Sequence, residues 1–247
     1  MGDAAAAVGV TSDAEDRQRR LQSLLAELAA LDVQRDAERV RWLLAEGAQL
    51  LDRAAEPRRW AAFRSRYASL TEDLDPPAAA VAYRDALEVW DPQSDRESWL
   101  ACHEGIGWLL ARQAPLTPAQ QQEAIEHLEC AVGERPYLAA VLARLYQFHT
   151  LGDPCDNWRQ RVAYLEQDAA LIDRSAEPDR WATAMNALAV AHQEEPDADF
   201  SAALERRLAG HAQVLAALPA AAAGAGIETR IALSECYRFR CQGDAAA

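Results

Sequence analysis

The residues best suited to metal or nucleophilic chemistry in this chain are five cysteines and five histidines. The cysteines are Cys102, Cys130, Cys155, Cys236 and Cys241. His127 and Cys130 stand three positions apart, which would place them on one face of a helix. Cys102 and His103 are adjacent and would point apart. Cys236 and Cys241 lie close together near the end. A zinc site needs four converging ligands, or three and a water, at characteristic spacings. The sequence contains no CxxC and no HExxH. Small buried cysteines and surface histidines account better for this scatter. A Cys–His nucleophilic pair could form between distant helices. Yet there is no nucleophile elbow, no glycine-rich phosphate loop and no strand-end loop to carry one. The expectation is a protein with no catalytic residues, no metal and no cofactor.

Charge narrows the partners. The 247 residues carry a formal net charge of −14, and every basic side chain is Arg. Arg pairs with carboxylates through a planar fork, so much of this charge can sit on solvated helix faces. An acidic chain repels phosphate backbones, which disfavours nucleic acid and anionic membranes. Arg17, Arg19 and Arg20 form a basic knot, but Asp13, Glu15 and Asp16 surround it, as in a solvated helix start. The acidic run EEPDAD at 194–199 reads as a loop with a helix cap at Asp199. The first residues lack the basic region of a secretory signal. The most apolar stretch, AALPAAAAGAGI at 216–227, is too short and too broken to span a bilayer. An odd number of irregularly spaced cysteines suits a reducing compartment. The protein is therefore expected to be soluble and cytoplasmic, with neither nucleic acid nor a membrane as its partner.

The elements available to position any site are helices. Ala, Leu, Glu, Arg and Gln dominate from residue 17 to 241, and all favour helix. No window alternates in the manner of a strand. Segments are expected at 14–31, 35–54, 57–73, 77–90, 95–113, 118–133, 137–150, 155–174, 178–193, 199–217 and 227–241. Starts are marked by three potential capping boxes, at Ser12–Glu15, Ser94–Glu97 and Thr117–Gln120. Asp75-Pro76 and Asp153-Pro154 place an acceptor before a first-turn proline. Short linkers should make successive helices antiparallel. Residues 1–12 and 242–247 read as disordered tails around a single helical domain at 13–241.

One stretch is written nearly twice. AQLLDRAAEPRRWA at 48–61 lies over AALIDRSAEPDRWA at 169–182. The offset is about three units of the length typical of helical-hairpin repeats. Degraded copies lie between: ESWLACHEGIGW with Trp99, and ERPYLAAVLARLY after Pro136.

These residues resemble the tetratricopeptide repeat. Ala124, Leu128, Ala131 and Pro136 fit the second helix of its unit, as do Ala79, Tyr83 and Ala86. Trp60, Phe63 and Tyr67 fit the first helix, as do Trp181 and Leu188. The match is strongest at 57–136 and weakest at both ends. The resemblance implies an all-α fold of about ten helices, a right-handed superhelix of stacked antiparallel hairpins. It implies a noncatalytic interaction scaffold whose concave groove holds a partner segment. Exposed first-helix positions at Ser65, Glu104, Trp108, Gln147 and Asn186 would line that groove. A regulatory sensor binding a peptide or small ligand is the alternative, and a helical enzyme using Cys or His a more distant one.

Overall fold

A computed structural model describes residues 3–32, 35–113, 115–196, 198–218 and 223–244. Every regular element among them is helical. Contacts divide the chain into two compact units, Met1–Arg112 and Gln113–Ala247. The first contains α1 (Asp3–Ala30), α2 (Ala37–Leu50), α3 (Pro57–Thr71), α4 (Pro76–Leu87) and α5 (Arg96–Ala111). The second contains α6 (Pro118–Val132), a 3-10 turn (Pro136–Leu138), α7 (Ala139–Gln147), α8 (Pro154–Leu171), α9 (Pro178–Gln193), α10 (Phe200–Ala217) and α11 (Ala223–Asp244). Within each unit every helix packs on the next, and α3 also meets α5 as α9 meets α11. The fold is all-α, built from consecutive packed helices.

The joints between helices are made by acidic residues. Asp52 accepts the Ala54 N–H at 2.9 Å, and its carbonyl accepts the Glu56 N–H at 2.8 Å. Asp173 does the same for Ser175 at 2.8 Å and Glu177 at 2.7 Å. The repeated sequence is thus a repeated turn. Two further copies were hidden by spelling. Asp32 accepts from Arg35 at 2.9 Å and Asp36 at 2.8 Å; Asp91 accepts from Ser94 at 2.8 Å and Asp95 at 2.9 Å. In all four, an Asp turns the chain and an acidic residue four positions on precedes the next helix. Asp75, Asp153 and Asp199 cap α4, α8 and α10 through their side chains, and Thr117–Gln120 forms a complete capping box on α6.

Two expected starts differ. Ser94 does not cap α5: Asp95 is the N-cap, and the Ser94 hydroxyl donates to Asp91 at 3.1 Å. Ser12 lies inside α1, which begins at Asp3 because the alanine-rich run before it also favours helix. Helix α11 extends to Asp244, and residues 1, 2 and 245–247 of the expected tails lie outside the described residues.

Small residues set the helix spacing. Phe63 of α3 lies on Gly47 of α2, where an added Cβ would come within 2.7 Å of Cδ1. Tyr83 of α4 lies on Gly105 of α5, where a Cβ would come within 2.6 Å of Cζ. Of the residues expected in the repeat core, Phe63, Ala79, Tyr83, Ala86, Ala124, Leu128 and Ala131 are buried. Trp60, Tyr67, Trp99, Pro136, Trp181 and Leu188 are half-buried. Trp60 and Trp181 pack against buried clusters while Arg53 and Arg174 cover their rings at 4.6 and 5.1 Å.

Candidate functional site

The second unit contains two cavities bordered by α7, α8 and α9. The first, of about 350 Å³, is walled by Ala140 and Ala143 of α7, Leu165 of α8, and Ala184 and Ala187 of α9. Methyl groups facing methyl groups do not fill the space between helices, so a slot remains. Its polar border is Arg144, Gln147, Arg161, Asp168 and Arg180. The second cavity, of about 360 Å³, is bordered by Phe148, His149, Asn157, Trp158 and Glu194 among others. Gln147 and Arg161 border both cavities.

Local structure holds this border in place. Gly152 adopts φ +80°, a left-handed conformation natural to glycine, and turns the chain into α8. Asn157 Nδ2 donates to the Leu151 carbonyl at 2.8 Å and closes the same turn. Trp158 Nε1 donates to the Ala191 carbonyl at 2.7 Å, locking α8 against the end of α9. Arg161 is only 7% exposed, and its guanidinium donates to Glu194. A charge so buried requires a partner. Tyr146 of α7 and Tyr164 of α8 both donate to Glu129 Oε1, at 2.7 and 3.1 Å, and their rings stack at 5.9 Å. Burial, followed by the neighbouring carboxylate, pushes both phenols well above their ordinary range.

Two buried polar atoms on this border lack hydrogen bonds: His149 Nδ1 and Asp168 Oδ1. Asp168 is 8% exposed, and its nearest cation is Arg180 Nη2, 3.8 Å from Oδ1. Burial raises the Asp168 carboxyl above the usual range, partly offset by Arg180. Burial likewise lowers His149, which favours its neutral form. Native proteins pair nearly all such groups, so two orphans beside two cavities are informative. A third cavity, of about 260 Å³, lies between α9 and α10 and is lined by Met185, Leu188, His192 and Arg206 among others.

Of the residues expected to line a groove, Gln147 is exposed and borders both cavities. Asn186 faces inward, bonded to Thr229 at 2.9 Å and His211 at 2.8 Å. Ser65, Glu104 and Trp108 belong to the first unit. Ser65 accepts the Trp90 indole N–H at 3.1 Å and donates to the Ala61 carbonyl, while Glu104 and Trp108 are half-buried on α5. Sequence reasoning did not find Asp168 or Arg161. Asp168 left a signal: it stands on the apolar stripe of α8, three residues after Leu165 and four before Ile172.

Among the described residues, no group of three or more His, Cys, Asp or Glu is placed to hold a metal. Cys102 and Cys236 are buried, Cys155 is half-buried and Cys130 is exposed. Burial pushes the Cys236 thiol up, away from the thiolate. The expectation of surface histidines fails at His211, which is 0% exposed. No described helix is long and apolar enough to cross a membrane. No protein-family model matches the chain, and no curated protein matches it.

Proposed function

We propose that the chain is a noncatalytic interaction module, and that the α7–α9 border of the second unit receives a segment of another protein. The reading is supported by one observation above all: two neighbouring cavities share Gln147 and Arg161, and each has a buried polar atom without a hydrogen bond. A bound segment would supply the missing hydrogen bonds while burying alanine-lined surface. The likeness of Trp60, Ala124, Leu128 and Ala131 to tetratricopeptide units agrees with this role by analogy of fold only. Stacked helices present such a border rigidly, so little ordering cost falls on the module itself.

The test is blockage. Ala140 and Thr183 are exposed and border the first cavity. Ala140→Trp and Thr183→Trp fill it without entering the core. Affinity capture is run with the native chain and both variants, each first checked for helical content and melting temperature. A partner lost with both variants supports the reading; a partner held equally by all three overturns it.

Volumes of about 350 and 360 Å³ also fall in the range of small-molecule sites. A sensor for a small ligand is the second reading. It predicts a ligand-dependent rise in melting temperature that is abolished by Ala140→Trp.

A further inference from the structure

We propose that the cavity between α7, α8 and α9 is a side-chain pocket for a lysine or arginine of the partner segment, with Asp168 receiving the cation. This rests on the reading above and adds the chemistry of the anchor. Asp168 is 8% exposed, and its buried Oδ1 makes no hydrogen bond. Arg180 Nη2 is 3.8 Å away, beyond hydrogen-bond length, and Arg180 Nη1 is committed to Glu177 at 3.1 Å. A buried carboxylate oxygen without a donor loses its hydration with only the loose Arg180 contact in return. A ligand cation with N–H groups would supply both the charge and the donors.

The other charges at the pocket do not compete for this role. Arg161 is neutralised by Glu194, and Arg180 is shared between Glu177, its closer partner, and Asp168. Asp168 is therefore the least well compensated of these charges, holding only a loose, shared contact with Arg180. Arg144 is exposed, where solvent and salt screen it. The shape fits as well. Four alanine methyl groups flank the slot, a surface suited to the methylene stem of a long basic side chain. At longer range, the net charge of −14 steers basic segments toward the chain.

The experiment uses the full chain. A phage-displayed random peptide library is panned against it, and hits are remade with acetylated and amidated ends so that no terminal charge contributes. Binding is read by fluorescence anisotropy. The expected result is one fixed Lys or Arg position whose replacement by norleucine weakens binding about tenfold or more. Asp168→Asn should weaken the native peptide by the same factor and leave the norleucine peptide unchanged. Asp168→Leu is a second variant; both should fold, because the buried Oδ1 makes no hydrogen bond and the Arg180 contact is long. Peptides that respond to Ala140→Trp but have no basic position, or that bind the Asp168→Asn variant unchanged, overturn the basic anchor and leave the groove standing. Peptides selected for an acidic position, facing Arg144 and Arg180, do the same. Failure to select any peptide sensitive to Ala140→Trp overturns the groove and the anchor together.

Discussion

His211 Nδ1 lies 2.8 Å from Asn186 Oδ1 inside the second unit, and this contact fixes the state of the ring. Asn186 spends its amide N–H on Thr229, so its oxygen must accept, and His211 Nδ1 carries the proton. Nε2 then accepts from Arg207 Nε at 3.2 Å. The imidazole is neutral, and α9, α10 and α11 are joined through a single polar cluster. Burial, then the nearby Arg207 charge, holds its pKa below the ordinary histidine value.

That state predicts a pH dependence with a definite sign. The unfolded chain protonates His211 near its ordinary pKa, whereas the folded chain resists. Protons therefore favour unfolding, and stability falls as pH drops through about 6.5 toward the depressed folded value. The melting temperature should decline from about pH 7.5 to about pH 5.5. The decline should be smaller in His211→Leu. Asn186→Ala, which strands the buried ring N–H, should cost about 1–3 kcal/mol in urea unfolding at neutral pH. A loss of under a few tenths would refute the assignment.

The contacts of Phe63 and Tyr83 with glycine make a second prediction. An exposed helical Gly→Ala change normally stabilises by about 0.5–1 kcal/mol. Gly47→Ala and Gly105→Ala should instead destabilise by about 1–3 kcal/mol, since the new methyl enters an aromatic ring. Gly133 ends α6 with φ −61° and open space around its Cα. Gly133→Ala should be neutral or stabilising. Denaturant midpoints of the three variants decide the matter, and loss at Gly133 with gain at Gly47 would invert the packing argument.

Much of this was legible in the letters. Helix composition, the prolines at Pro57, Pro118, Pro154 and Pro178, and the acceptors Asp75, Thr117, Asp153 and Asp199 located most helices to within a few residues. Local chemistry decides such boundaries, and local chemistry is written in sequence. Ser94 misled because Asp91, three residues earlier, takes its backbone N–H first. The joints at Asp32 and Asp91 were missed because their turn needs only an Asp and an acidic residue four on, while the AEP spelling occurs at two joints alone. The cavities were illegible for another reason. They arise where alanines of different helices face one another, and that depends on rotation about each helix axis. Gln147 was named from its exposed position, whereas Asn186 was drawn inward by His211, a pairing no spacing announces.

The joints carry a prediction of their own. Backbone N–H groups of Ser94 and Gln93 hold Asp91 below the ordinary carboxylate range, and the Ser175 hydroxyl and amide do so for Asp173. A depressed carboxylate contributes stability above its unfolded pKa and loses it as pH falls through the folded one. Asn in place of Asp keeps an acceptor and removes the titration. The Asp91→Asn, Asp173→Asn double variant should therefore lose less melting temperature than the native chain between about pH 6 and about pH 3. Equal slopes would show that other carboxylates govern the acid transition. At the cap of α8, where Asp153 accepts two N–H groups, Asp153→Ala should cost about 1 kcal/mol.

The most discriminating prediction concerns the stability cost of a binding residue. A carboxylate whose buried oxygen makes no hydrogen bond burdens the folded state in which it sits. Replacing it with an apolar side chain of similar size should relieve that burden, as with other buried charges. Asp168→Leu is expected to raise the unfolding free energy by about 1 kcal/mol at neutral pH. The sign of the pH dependence follows from the raised carboxyl. Its unfavourable contribution is absent at low pH, where both states are protonated, and grows as pH rises through the folded pKa. The advantage of Asp168→Leu over the native chain should thus shrink as pH falls through the carboxylate range. Arg144, Arg161 and Arg180 face the same pocket and stay charged throughout, so they leave the sign unchanged. A residue kept for architecture would behave oppositely: its removal would destabilise at neutral pH by 1 kcal/mol or more. Paired urea titrations at about pH 7 and about pH 4 separate the two cases, and destabilisation at pH 7 would return Asp168 to a structural role.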